Sequence, residues 1–113
     1  MHEMSIMESV FDTALEAMRS SGYTRITRIE LTFGEMTEVA EDSLRFAFDA
    51  LKEGGPAEDA ELAITVLTPR SQCLECGAIY AHDRYTVRCP ECGSVITKLL
   101  QGREMSIDAV EAE

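Results

Sequence analysis

Apolar positions recur near the start of the chain with the period of an α-helix. Met7, Phe11, Ala14 and Met18 mark one face, widened by Val10 and Leu15, while Glu8, Asp12, Glu16 and Arg19 take the other. This pattern predicts a helix over residues 5–21, with Ser5 and Glu8 as a capping box and Gly22 as its stop. The period then changes to two. Within residues 25–33, Ile29, Leu31 and Phe33 alternate with Arg28, Glu30 and Thr32, and Gly34 closes the strand. A second helix is predicted over residues 41–53, where Leu44, Ala47, Phe48 and Leu51 follow helical spacing and Gly54-Gly55-Pro56 ends the run. Leu62, Ile64 and Val66 alternate in a second strand that stops before Pro69, and Met105, Ile107 and Ala109 predict a last strand.

The expected fold class is therefore α+β: a small three-stranded sheet with two helices on one face, the simplest way to bury these stripes. The strand–helix–strand segment from 25 to 68 permits a parallel crossover. The last strand is expected to return antiparallel beside the second, with the segment between them inserted at the turn.

That inserted segment holds all four cysteines of the chain, as Cys73-Leu-Glu-Cys76-Gly77 and Cys89-Pro90-Glu-Cys92-Gly93. Each Cys-x-x-Cys turn aims two thiolates at one point, and the glycine that follows admits a left-handed backbone. Four convergent thiolates at this spacing suit tetrahedral zinc in a zinc ribbon. They leave no open coordination position, so the metal is expected to be structural rather than catalytic. His82, between the two pairs, is expected at the surface or donating to a ligand, because four ligands are already supplied.

Composition narrows the function classes. The chain has 113 residues, with 10 basic against 21 acidic side chains and a formal charge of −11. Such a charge repels nucleic acid and anionic lipid and favours cationic partners, metal ions included. No apolar run approaches the ~20 residues of a membrane span. The opening residues Met1-His2-Glu3-Met4 lack a basic, then apolar, leader, so a reducing cytoplasm is the expected compartment and metal rather than disulfide the expected use of cysteine.

The same opening residues form a second candidate metal site. The terminal amine, the His2 amide nitrogen and His2 Nδ1 can close a five- and a six-membered chelate ring on one ion. Nickel(II) or copper(II) suits such planar nitrogen coordination, and Glu3 can add a carboxylate or its backbone nitrogen. From residue types alone, an ordinary histidine at a frayed terminus remains the competing reading.

Several stretches together resemble one family, the HypA-type nickel metallochaperones of nickel–iron hydrogenase maturation. They are Met1-His2-Glu3 with Ser5, Leu44-Arg45-Phe46-Ala47-Phe48, the strand from Leu62 to Val66, both Cys-x-x-Cys-Gly motifs, Ser94, and Gly102-Arg103-Glu104-Met105 with Ile107. They follow one another in order over nearly the whole chain. One departure is Glu41-Asp42, where the family often has Pro-Glu ahead of the second helix. The resemblance implies a discontinuous nickel-binding domain of residues 1–69 and 99–113 around a zinc-ribbon domain of residues 70–98. It implies His2 as the essential nickel ligand with Glu3 contributing, and Cys73, Cys76, Cys89 and Cys92 as zinc ligands. It further implies two partners, a nickel- and GTP-dependent hydrogenase accessory protein and the hydrogenase large subunit, with urease as a second client in some organisms.

Two other classes are weighed against it. A nucleic-acid-binding ribbon needs a basic, aromatic-studded surface, whereas residues 70–98 set Arg70, Arg84, Arg88 and Lys98 against Glu75, Asp83 and Glu91. A thiol oxidoreductase needs a reactive cysteine, normally at a helix start, whereas both pairs here lie in Gly/Pro turns. No Ser-His-Asp set, phosphate loop or catalytic carboxylate pair stands out, so no enzymatic activity is expected.

Overall fold

The computed structural model describes residues 3–113. Helix α1 runs Glu3–Ser20, strand β1 Ile26–Gly34, helix α2 Glu41–Lys52 and strand β2 Glu61–Leu67. Short strands β3 (Arg70–Cys73), β4 (Ile79–Ala81) and β5 (Thr97–Gln101) follow, and β6 (Met105–Ala112) is last. Two three-stranded sheets result, ordered β2-β1-β6 and β4-β3-β5.

The expected α+β architecture is present, with one correction to its strand order. β6 lies beside β1, not beside β2. Thr24 and Arg25 both donate backbone bonds to the Glu113 carbonyl, and at the other end the Gly34 N–H reaches the Glu104 carbonyl. Partners that descend along one strand as they ascend along the other make this pair antiparallel. β2 flanks β1 on the other side, where Ile26 N–H bonds the Pro56 carbonyl and Glu35 N–H bonds the Leu67 carbonyl, an order that rises along both strands as in a parallel pair. The central place goes to β1 because Ile26, Ile29, Leu31 and Phe33 are all buried, whereas β2 buries only Leu62 and leaves Val66 exposed, as an edge strand can.

The helical stripes are buried as the periodicity predicts: Met7, Val10, Phe11, Ala14 and Met18 on α1, and Leu44, Ala47 and Phe48 on α2. Phe11 and Phe48 meet with ring centroids 5.5 Å apart, a tilted aromatic pair that adds to burial between the helices. Leu15 and Leu51 are half-buried at the margin. The expected capping box is not where Ser5 and Glu8 would put it. α1 already runs from Glu3, which places Ser5 within the helix. Glu3 in the first turn complements the positive end of the helix dipole instead. α2 begins at Glu41 despite the missing proline, and Arg45 Nε donates to Glu41 Oε2 at 3.0 Å one turn later.

The chain divides into two compact units. The first takes the described residues up to Thr32 with Val39–Thr65 and Ser106–Glu113; the second takes Phe33–Glu38 and Val66–Met105. The second thus extends beyond residues 70–98 on both sides. Backbone bonds explain the extension: Met36 N–H to the Gly102 carbonyl at 2.7 Å, Gly34 N–H to the Glu104 carbonyl at 2.9 Å and Glu35 N–H to the Leu67 carbonyl at 3.0 Å. Two backbone segments pass so closely here that a Cβ on Gly34 would sit 2.0 Å from the Gly102 carbonyl carbon and oxygen. Glycine is required at that crossing. Gly34→Ala should destabilise the protein by about 3 kcal/mol, near the upper end of ordinary overpacking. Denaturant unfolding of the metal-loaded protein would measure the loss; a midpoint within error of the parent would refute the close crossing.

Candidate metal centres

In the second unit the cysteines are brought together by two copies of one local structure. Cys73 N–H bonds the Ala78 carbonyl at 2.8 Å, and Gly77 N–H bonds the Cys73 carbonyl at 2.9 Å. Sixteen residues on, Cys89 N–H bonds the Ser94 carbonyl and Gly93 N–H the Cys89 carbonyl, each at 2.9 Å. Each turn reverses tightly enough for its two sulfurs to face one way only because Gly77 and Gly93 adopt φ of 81° and 75°, the left-handed region that disfavours residues with a Cβ. β3 leads into the first turn and β5 leaves the second, paired antiparallel with Gln72 opposite Lys98 and Cys73 opposite Thr97.

The four sulfurs converge. All lie within 4.8 Å of one another, with Cys73 Sγ–Cys92 Sγ at 3.5 Å and Cys76 Sγ–Cys89 Sγ at 3.6 Å. Tetrahedral zinc–thiolate bonds of about 2.3 Å require sulfur separations of about 3.8 Å, so the donor set fits such an ion in both chemistry and size. Cys73 and Cys89 are buried and Cys76 and Cys92 exposed, with Tyr80 and Ala78 packed against the buried pair. The Tyr80 hydroxyl donates to the Val87 carbonyl at 2.5 Å, tying β4 to the loop that carries the second pair.

As free thiols Cys73, Cys76 and Cys92 would not ionise alike. The Cys76 amide, donating to Cys73 Sγ at 3.4 Å, draws the Cys73 thiol down to about 6. The Ser94 amide favours a Cys92 thiolate too, but hydrogen bonding with the neighbouring Cys73 sulfur and partial desolvation within the sulfur cluster outweigh it and push Cys92 up to about 12. Cys76 is raised in the same way: the Ala78 amide favours its thiolate, but the Cys89 sulfur and partial desolvation oppose it more strongly. One thiolate is accommodated and further ones are repelled until a cation shares the site.

His82 is not a member of this set; among the described residues the group able to hold a metal is the four cysteines. Its Nδ1 lies 2.6 Å from the Asp83 carbonyl and its Nε2 lies 2.7 Å from the Ser71 hydroxyl. A carbonyl can only accept, so Nδ1 donates to Asp83; in the neutral ring this tautomer leaves Nε2 to accept from the Ser71 hydroxyl. Ser71 is buried, and His82 satisfies the hydroxyl that would otherwise lack a partner.

Of the predicted terminal site, Met1 and His2 lie outside the described residues. Glu3 is described. Its Oε2 accepts from the Ala40 amide at 3.2 Å, and Ala40 is the N-cap of α2, with no side chain able to cap. Glu3 thus does for α2 what a capping-box glutamate does within its own helix. It also lines a cleft of about 400 Å³ with Met4, Asp42, Ser43, Phe46 and Ala47. Asp42, one of the two residues at which the chain departs from the family pattern, brings a second carboxylate to this cleft beside Glu3. The signal that could have found it is the pair of acidic first turns, Glu3 on α1 and Glu41-Asp42 on α2.

Filling the cysteine cluster with zinc at pH 7 should release at least two protons per ion, since Cys76 and Cys92 are held as thiols there. Apparent zinc affinity should accordingly fall by about a hundredfold for each unit of pH lost near neutrality. Calorimetric titration in buffers of different ionisation enthalpy counts these protons; release of fewer than two would contradict the ionisation described.

Comparison with known proteins agrees with the geometry. The family model described as "Hydrogenase/urease nickel incorporation, metallochaperone, hypA" matches residues 1–112. The chain is 40% identical to the hydrogenase maturation factor HypA of Prosthecochloris aestuarii, over 100% of both chains. It is 38% identical to that of Chlorobium luteolum, over 97% of this chain and 94% of the relative. Among solved structures, that of the Ni metallochaperone HypA from Helicobacter pylori matches at TM-score 0.66 and 24% identity, covering 99% of this chain and 97% of the other. A second, titled as the solution structure of HypA protein, matches at TM-score 0.70 and 23% identity, covering 99% and 96%. At those identities the structures support the fold, and the match over the full sequence length decides the rest: this chain belongs to the HypA family, whose members are metallochaperones for nickel incorporation rather than enzymes.

Proposed function

We propose that this chain carries one nickel(II) ion at its amino terminus and hands it on during maturation of nickel–iron hydrogenase, while Cys73, Cys76, Cys89 and Cys92 hold a structural zinc ion. The observation that carries this reading is the family match from residue 1 to residue 112, which takes in the Met1-His2-Glu3 start together with all four cysteines. His2 supplies its ring nitrogen and amide nitrogen, and the terminal amine closes the chelate. The Glu3 carboxylate is engaged by the Ala40 amide, which favours a contribution from Glu3 through its backbone nitrogen. That contact also anchors the start of α1, so the chelate is carried next to an ordered helix.

Transfer proceeds by ligand exchange with nickel remaining divalent. Incoming ligands approach the ion from solvent, the amide nitrogen regains its proton, and the imidazole leaves in a separate step. Zinc has no part in that exchange; bound by four thiolates, it holds the two Cys-x-x-Cys turns together. In domain terms, residues 1–69 and 99–113 carry nickel and residues 70–98 carry zinc. The partners are a nickel- and GTP-dependent accessory protein and the hydrogenase large subunit, with urease as a second client, and the compartment is the cytoplasm. No helix among the described residues is long and apolar enough to cross a membrane.

Nickel titration of zinc-loaded protein with a free terminus, followed by absorption and heat, tests the site. One ion should bind per chain with the spectrum of planar nickel, and binding should be lost in His2→Ala and in an N-terminally extended chain. Affinity should fall as pH drops through about 6.5, where an unperturbed imidazole takes up a proton. His2→Ala should retain its zinc, whereas Cys73→Ser should not. Unchanged nickel affinity in His2→Ala would overturn the terminal site.

A further inference from the structure

The small sheet of the second unit has two unlike faces. Side chains opposite one another in register share a face, so the pairs Ser71↔Tyr80 and Ser71↔Leu99 define one, which also holds Cys73. Ser71, Tyr80 and Cys73 are buried. The pairs Arg70↔Ala81, Gln72↔Ile79 and Gln72↔Lys98 define the other. Leu74 and Ile96 extend this second face by one step, joined by a bond from Leu74 N–H to the Ile96 carbonyl at 3.0 Å.

Aliphatic side chains on the second face remain in water. Leu74 is 59%, Ile79 53% and Ile96 54% exposed, and neighbouring Val95 is 63% exposed. Single exposed aliphatics need no explanation, but several clustered on one face of one sheet mark an interaction surface. Arg70 and Lys98 accompany them, and no carboxylate occurs among Arg70, Gln72, Leu74, Ile79, Ala81, Ile96 and Lys98. The chain as a whole carries a formal charge of −11, so a basic, acid-free face is a local reversal. Among the described residues neither Arg70 nor Lys98 is paired with a carboxylate, so both charges remain available to a partner.

We propose that this face binds a partner-protein segment that presents aliphatic side chains flanked by carboxylates. Charge complementarity selects that occupant. Two copies of the chain pairing through this face would set Arg70 and Lys98 against one another, which like-charge repulsion disfavours. A nucleic acid would meet branched aliphatics where it needs aromatic stacking platforms, on a chain whose overall charge repels it. The proposal stands independently of the terminal nickel site.

Zinc-loaded, isotope-labelled full-length protein would be titrated with a synthetic amphipathic peptide of Leu and Glu, watching backbone amide shifts. The same peptide with Lys replacing Glu and a single-stranded oligonucleotide serve as competing probes. Saturable shifts should centre on residues 70–81 and 96–98, weaken at higher salt, and be absent with the Lys peptide. R70E combined with K98E should weaken binding about tenfold or more, and I79S should weaken it without changing zinc content, since neither substitution enters the buried face. Shifts elsewhere, unaltered affinity in these variants, equal response to the Lys peptide, preference for the oligonucleotide, or concentration-dependent self-association through this face would each overturn the proposal.

Discussion

Four cysteine sulfurs within 4.8 Å of one another cannot all carry negative charge unless a cation sits among them. Much in the second unit follows from that constraint. β3, β4 and β5 have four, three and five residues, too short to hold a sheet by pairing alone. The buried cluster around the site is Cys73, Tyr80 and Cys89 with Ala78 against it, a small apolar core by any standard. A metal held by the four cysteines would supply what apolar burial here does not, and binding it would be part of folding. The two turns repeat the same backbone bonds because each solves the same problem, aiming two thiolates at a shared point.

The first unit is held by a different force. Met7, Phe11 and Met18 from α1, Leu44 and Phe48 from α2, and Ile26, Ile29 and Leu31 from β1 are buried there, and burial of such side chains contributes about 1.5–3 kcal/mol each. Its polar sheet positions add cross-strand contacts. Arg28 on β1 reaches Glu61 on β2 at 3.0 Å and Glu111 on β6 at 3.3 Å, and Asp108 on β6 accepts from Thr32 on β1. These exposed pairs set register more than stability. The proposed nickel site depends on this unit through Glu3, whose carboxylate joins the start of one helix to the start of the other. On the proposed function this division suits a metal carrier: apolar packing orders α1, and an ion held by the four cysteines would keep the ribbon folded whether or not cargo is present.

Charge is unevenly distributed over the chain, and the two ends of its proposed task use that differently. Glu3 and Asp42 line the cleft at the helix starts, an anionic setting that suits a cation cargo. The exposed face of the ribbon sheet carries Arg70 and Lys98 among aliphatics, suited to an acidic partner instead. The formal charge of the whole describes neither place.

What the amino-acid order determined by itself is whatever depends on near neighbours along the chain. Helical stripes at Met7, Phe11, Ala14 and Met18 and at Leu44, Ala47 and Phe48, the alternation in β1, and both Cys-x-x-Cys-Gly turns were legible because residues three or four apart meet within one turn. The cysteine cluster was legible for a different reason: a four-thiolate site draws its ligands together whatever their separation along the chain. Contacts between distant residues were not. Nothing local told whether β6 would lie beside β1 or β2, because either edge offers the same unpaired backbone groups; the burial of β1 on the folded protein decided it. Ser5 and Glu8 made a valid capping box as a string, yet the structure starts α1 at Glu3 and sends its carboxylate to Ala40, 37 residues away. His82 likewise found its partner in Ser71, across a turn from β4 to β3. Local sequence sets which elements form; which of them touch is decided only when the whole core closes, because that is when burial chooses among pairings of nearly equal local energy.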